Sequence, residues 1–265
     1  MSTNMIEVRN LSKSFGDVQA VNDISFDVAR GEIFAFLGPN GAGKTTTIKM
    51  LTTLLRPTAG SLALDGLNPL THQNQVRQQF GIVFQDPSLD SELTAWENLM
   101  LHAVLYHVPR ATRQTRAESL LKLFELWERR DTPVKQFSGG MKRRLEIARG
   151  FLHTPKILFL DEPTLGLDPQ SRNQLWTHVK HLNQTEGVTV FLTTHYMEEA
   201  DRVAHRVGII DHGRIVAQGS SQELKEQTKT DSLEAAYLAL TGSSIRDEKA
   251  ATGEQMRQFV KMWRR

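Results

Sequence analysis

The run Gly38-Pro39-Asn40-Gly41-Ala42-Gly43-Lys44-Thr45-Thr46 matches the spacing G-x-x-x-x-G-K-[ST], which suits one task, the binding of a nucleotide's phosphates. Gly38, Gly41 and Gly43 let the backbone take left-handed conformations, so successive N–H groups face phosphate oxygens with no Cβ in the way. Lys44 adds a positive charge for the β- and γ-phosphates, and Thr45 a hydroxyl suited to Mg²⁺. A helix expected from about Thr45 to Leu54 aims the positive end of its dipole at the same anions.

Far downstream, ILFLDEP from Ile157 to Pro163 ends an apolar run in two adjacent carboxylates, Asp161 and Glu162. They fall at the C-terminal edge of a buried strand, where ligands collect in open α/β sheets and where neighbouring side chains diverge. Labour is therefore divided: Asp161 takes the Mg²⁺, directly or through its water, and Glu162 activates the attacking water. A pair of acids at a strand end is common by itself, but behind a phosphate loop it acquires a chemical use.

These residues need elements to carry them. Ile33 to Leu37, Ile82 to Phe84, Ile157 to Leu160 and Val188 to Thr193 read as short buried strands alternating with helical segments, an α/β P-loop NTPase core. Ahead of the loop, Ile6/Val8, Val18/Ala20 and Ile24/Phe26/Val28 alternate with period two, predicting an N-terminal antiparallel β-layer. Between Gln85 and Phe137 the spacing turns helical, over Leu93 to Val104 and Ala117 to Trp127. Thr230 to Gly242, with a capping pair in Asp231 and Glu234, reads as an amphipathic docking helix. After a break at Ala250 to Gly253, Met256, Phe259, Val260 and Trp263 recur at i, i+3, i+4 and i+7 among Arg257, Lys261, Arg264 and Arg265. That segment is expected to lie on anionic lipid or a membrane partner, or to pack on its own domain.

With FSGG from Phe137 to Gly140 lying between the two motifs, residues 1 to about 225 resemble the nucleotide-binding subunits of ATP-binding cassette (ABC) transporters. Phosphate loops are widespread, but a Ser-Gly-Gly signature between loop and acidic pair is close to unique to that family. The resemblance implies an inserted helical subdomain at about 86–137 and a C-terminal helical extension over 226–265. It also implies an ATP site built in halves. Ser138, Gly139 and Gly140, just ahead of a helix from about Met141 to Leu152, act in trans on the γ-phosphate held by a second cassette.

Other roles follow from the same resemblance. Gln85 in GIVFQD offers a neutral amide to Mg²⁺ or water beside the membrane partner, and joins Thr45 and Asp161 as the metal set. Asp168, after Leu167 in GLDP, is the D-loop residue, and His195 in LTTH hydrogen-bonds the γ-phosphate near Glu162. Phe15 in KSFG stacks on adenine, where many members carry Tyr. The wording FSGGM, with Arg143-Arg144, resembles the ABC-2 exporters of drugs and polysaccharides; the two arginines themselves read as a solvated helix face. Implied are Mg²⁺-dependent ATP hydrolysis, pairing with a second copy or a related cassette, and a separate integral-membrane ABC-2 permease. The expected location is the cytoplasmic face of the cell membrane.

Composition agrees. At 265 residues with 39% hydrophobic content the chain can bury a large core, and a net charge of +2 leaves no reason to expect nucleic acid as partner. The absence of cysteine excludes a disulfide scaffold and suits the cytosol. No apolar stretch approaches the roughly 18 residues of a membrane helix, and the N-terminus lacks a signal-peptide core, so the pore is expected on another polypeptide. Three alternatives compete. A soluble ABC ATPase acting on ribosomes or DNA would carry two cassettes or long coiled coils, a kinase or GTPase would leave the Ser138 loop and His195 unused, and a non-hydrolysing clamp would leave Glu162 and His195 unused.

Overall fold

The computed structural model describes residues 4–242. The chain opens with a long antiparallel pair, β1 (Asn4–Phe15) and β2 (Val18–Ala29), then enters β3 (Ile33–Leu37), the phosphate loop and α1 (Lys44–Leu51). Next come β4 (Ala59–Leu64), α2 (Gln73–Gln79), β5 (Phe80–Val83), α3 (Ala95–Leu105), α4 (Arg110–Leu123) and α5 (Gly139–Phe151). β6 (Ile157–Asp161), α6 (Pro169–Glu186), β7 (Thr189–Thr194), α7 (Met197–Val203), β8 (Arg206–Asp211), β9 (Arg214–Gly219), α8 (Ser221–Thr228) and α9 (Leu233–Thr241) complete it.

β4 joins the opening pair in a three-stranded sheet, β2-β1-β4. The second sheet runs β5-β6-β7-β3-β8-β9, parallel except for β9. β3 and β6 are buried at every residue because both faces of this sheet are covered, which is why their sequences read as unbroken apolar runs rather than alternations. Phe34, Phe36, Phe159 and Phe191 face the antiparallel layer, while Ala35, Leu37, Leu158, Leu160, Val190 and Leu192 face the helices. Phe26 of β2 stacks on Phe34 at 5.6 Å and lies 5.8 Å from Phe191, locking the two sheets together through aromatic burial.

Register decides where the chemistry falls. Leu37 pairs with Thr194 and Asp161 with Thr193, so β3, β6 and β7 end level. The phosphate loop, the acidic pair and His195 therefore leave the sheet along one edge.

Several expectations shift in detail. In β2 the buried residue near the hairpin is Val21, and Val18 is 66% exposed. Asn10 and Asp23, both at positive φ and joined by a hydrogen bond of 2.9 Å, mark a bulge that changes the phase of the alternation. α5 starts at Gly139 rather than Met141, with Ser138 as its cap. α9 is capped by Ser232, whose hydroxyl accepts from Ala235 N at 3.1 Å, rather than by Asp231. Its Leu233, Ala236 and Tyr237 are buried, and it packs on α7, α8 and β9 of its own chain. α8 runs across residues 225–226, where the C-terminal extension was expected to begin. Among the described residues no helix is long and apolar enough to cross a membrane. The segment from Met256 to Trp263 lies outside the described residues.

Candidate active site

Within the phosphate loop, Gly41 and Gly43 hold φ of 81° and 108°, as the motif requires of residues without a Cβ. Gly38 does not share this conformation. Its reason is steric: a Cβ there would sit 2.3 Å from the carbonyl oxygen of Ile210 on β8. Pro39, Thr45 and Thr46 are half-buried, Asn40 is exposed and Ala42 is buried. Lys44 is only 5% exposed, and its ammonium donates to the carbonyls of Gly38 at 2.7 Å and Pro39 at 3.3 Å while facing Glu162 Oε1 at 3.1 Å.

The two adjacent acids behave oppositely. Asp161 Oδ1 accepts from Thr193 Oγ1 at 2.6 Å and from Thr45 Oγ1 at 3.3 Å, yet burial pushes its pKa above the ordinary aspartate value. Burial works against ionisation of Glu162 too, but the hydrogen bond from His195 and the charge of Lys44 outweigh it and hold its pKa below the glutamate norm. His195 Nδ1 lies 2.8 Å from Glu162 Oε2, so that nitrogen carries the proton of the bond. Glu162 itself sits at φ 48°, a strained conformation for a residue with a side chain. Its N–H is held by the hydroxyl and the carbonyl of Thr193, both at 3.1 Å. Thr193 thus binds both acids, and the sequence reading passed over it. Its signal was the hydroxyl two residues before His195, at the end of a buried strand.

The remaining candidates lie around this cluster. Phe15 ends β1, 42% exposed, with Lys13 Nζ 5.0 Å from its ring centroid, so the residue lies outside the core. Gln85 follows β5 on a loop, exposed. Ser138 is exposed and accepts from Met141 N at 3.2 Å, with Gly139 exposed beside it. Gly140 packs so closely on the first turn of α6 that a Cβ would lie 2.6 Å from Ser171 Oγ. Asp168 is the exposed cap of α6, accepting from Ser171 N at 2.9 Å and Ser171 Oγ at 2.6 Å. Ser171 therefore brings the Ser138–Gly140 turn and Asp168 into one surface. Among the described residues no hydrogen bond or ion pair joins that surface to Lys44, Glu162 or His195.

The expectation for the arginine pair fails. Arg143 is not on a solvated face: it is 6% exposed and donates to the carbonyls of Phe84 at 2.6 Å and Gln85 at 3.1 Å. Arg144, paired with Glu125 at 3.0 Å, is also mostly covered. The signal for the first was the i, i+3 acid, Glu146, which meets Arg143 at 2.9 Å and is itself buried.

Nucleotide and metal fit this edge differently. Backbone N–H groups and Lys44 address anionic oxygens. For Mg²⁺, which takes one or two protein ligands and completes its shell with phosphate and water, Asp161 and Thr45 form a suitable pair, since a buried carboxylate with a raised pKa gains from a cation. Among the described residues no cluster of three or more His, Cys, Asp or Glu competes for such an ion.

A family model described as ABC transporter matches residues 21–165. The daunorubicin resistance ATP-binding protein DrrA3 of Streptomyces coeruleorubidus is 40% identical over 257 residues, covering 92% of this chain and 81% of that one. Nod factor export ATP-binding protein I of Ralstonia nicotianae is 43% identical over 223 residues, covering 84% of this chain and 69% of that one. An ATP-binding cassette solved as a dimer, in a post-hydrolysis state bound to ADP and Pi, superposes with a TM-score of 0.74 at 28% identity, covering 82% of this chain and 98% of that one. The fold and the strand-end cluster define a P-loop ATPase cassette. The chain belongs to the ABC transporter family, and it binds and hydrolyses ATP.

Proposed function

We propose that this chain is the energising subunit of an ABC-2 type exporter. Two cassettes close on ATP and open after hydrolysis, driving a separate membrane permease on whose cytoplasmic side they sit. One observation carries the reading: the Ser138–Gly140 helix start, exposed at Ser138 and Gly139, forms no hydrogen bond or ion pair with the chain's own Lys44, Glu162 and His195, in a chain 43% identical to a Nod factor export ATP-binding protein. A half-site of that kind is completed by a second copy or a related cassette. The similar cassette solved as a dimer, and relatives named for drug resistance and Nod factor export, favour this over action on ribosomes or DNA. By the resemblance to drug and polysaccharide exporters, the transported compound is then a drug or a polysaccharide. Residues 1–225 form the ATPase domain, with about 86–137 as its helical subdomain, and 226–265 the extension.

The residues divide the chemistry as follows. The loop from Gly38 to Thr46 cradles the phosphates, and Phe15 offers its exposed ring to adenine. Thr45, Asp161 and Gln85 hold Mg²⁺, which when bound neutralises charge on the phosphate oxygens. Lys44 forms an ion pair with Glu162, and an arriving phosphate competes for it. Release of Oε1 frees the carboxylate to take a proton from water, while His195 keeps Oε2 oriented. Ser138, Gly139 and Gly140 address the γ-phosphate of the partner cassette, with Asp168 beside them.

The test is affinity purification of the Glu162→Gln variant with Mg-ATP from detergent-solubilised membranes, with mass spectrometry of whatever accompanies it. A multi-spanning membrane protein is the expected companion. Recovery of ribosomal or nucleic-acid complexes alone would overturn the exporter reading.

A further inference from the structure

The helix that begins at Ser138 carries Arg143, Glu146 and Arg149 at three-residue spacing, and all three reach the segment after β5. Arg143 Nη1 donates to Phe84 O at 2.6 Å and to Glu146 Oε2 at 2.9 Å, and Nη2 to Gln85 O at 3.1 Å. Glu146 Oε1 accepts from Ser88 N at 2.8 Å. Arg149 closes the row, donating to Ser88 O at 2.6 Å and to the Ser88 hydroxyl. Arg143 and Glu146 are 6% and 2% exposed, so these charge-assisted bonds form away from water, where they are strong and directional. A loop held only at one end by a strand would move freely. This one is fastened at residues 84, 85 and 88 to a single helix.

We propose that Arg143 and Glu146 are positioning residues for ATP hydrolysis: they lock the Gln85 loop to α5, so that Gln85 and the Ser138–Gly140 turn at the start of that helix move as one body. Arg143 lies five residues into the chain from Ser138, about 7 Å along the axis, within the stiff first turns of the helix. A displacement of the loop by a membrane partner or a metal-bound nucleotide is then delivered directly to the turn that meets the opposite cassette, and the reverse. The proposal rests on the assignment of Gln85 to the metal or the attacking water, with Arg143 and Glu146 acting through it and not on the substrate.

The test uses the full chain. Removing one member of a buried pair leaves an unmatched charge and endangers folding, so the principal variant is the double replacement Arg143→Met with Glu146→Leu, which removes both charges at similar volume. Folding is checked by circular dichroism and thermal unfolding. Amide hydrogen exchange over residues 85–90 of the nucleotide-free protein, the Ser88 N–H above all, is the readout independent of turnover. Exchange there is expected to quicken, kcat to fall about 10- to 100-fold with the KM for ATP little changed, and Gln85→Ala to add nothing to the loss. Unchanged exchange, or faster exchange with undiminished kcat, overturns the proposal. Losses that simply multiply with that of Gln85→Ala overturn action through Gln85. Should Gln85→Ala by itself turn over normally while the double variant is slow and exchanges fast, the Gln85 assignment falls and the lock between loop and helix stands.

Discussion

At the ends of β3, β6 and β7 buried charges compete for partners, whereas on the inner face of α5 Arg143 and Glu146 are matched group by group. Lys44 is divided between two carbonyls and Glu162, Glu162 between Lys44 and His195, and Asp161 is desolvated beyond what Thr193 and Thr45 offset. Arg143 and Glu146 spend their oxygens and guanidinium protons on one another and on a fixed loop. Both regions exclude water, so the contrast is one of satisfaction rather than burial. A competing set exchanges partners when a ligand arrives; a matched set is a strut.

The largest test of the competing set is kinetic. Glu162→Gln removes the proton acceptor but keeps the shape, and turnover should fall about 10²- to 10⁴-fold with ATP binding retained. Single-turnover hydrolysis beside nucleotide-binding titration checks this, and normal turnover would break the assignment of Glu162 as base.

A second test concerns the helical region, where His102, Tyr106 and His153 stack at 4.3 Å and 4.2 Å. Burial, with the Arg149 charge nearby, pushes His102 down from 6.5 to about 3. Burial likewise takes His153 to about 4, against the opposing bond to the Phe80 carbonyl. Both are bases with depressed folded-state pKa values, so the unfolded chain binds more protons as pH falls below 6.5 and stability drops from there toward pH 4. Each contributes a slope of up to about 1.4 kcal/mol per pH unit. Urea unfolding between pH 7 and 5 should show it, and a slope unchanged by the His102→Phe, His153→Phe pair would remove these rings from the account.

The smallest effect is the most discriminating within the strand-end edge. Asp161, with its folded pKa raised, loses stability as pH rises through that value, so Asp161→Asn should raise Tm at neutral pH in the absence of Mg²⁺. Glu162, with its pKa lowered, contributes stability above its unfolded value and loses it as pH falls through the folded one, so Glu162→Gln should lower Tm under the same conditions. Changes on the order of 1 kcal/mol, a few degrees, are expected with opposite signs. Equal signs would mean that the two adjacent carboxylates share one environment.

Much of this edge is legible in the sequence. The phosphate loop and the run ending in Asp161-Glu162 announce themselves within a few neighbours, because a buried strand needs an apolar run and a phosphate cradle needs glycines in a set order, whereas His195 is legible through the family resemblance. The reading failed where the cause was distant. The motif suggests a left-handed conformation at Gly38, but the carbonyl of Ile210, far along the chain, is what forbids a side chain there. Val18 is in phase with the alternation in the sequence, but a bulge at Asn10 and Asp23 shifts the strand. Arg143 read as solvated because a helix sequence does not say which face a neighbouring loop will cover.

Local pattern in the chain specifies the class of chemistry and the order of the phosphate loop, the helical stretch and the acidic strand end, through backbone conformation and apolar periodicity; the signature turn and the histidine follow from the family resemblance. The meeting of Lys44, Asp161, Glu162, Thr193 and His195 depends on β6 and β7 entering beside β3 in a register that ends all three strands level, which is a property of the tertiary fold. The same packing buried Arg143 and turned a surface-looking pair of charges into the strut of the Gln85 loop. Pairing and burial are non-local, and no window of neighbouring residues contains them.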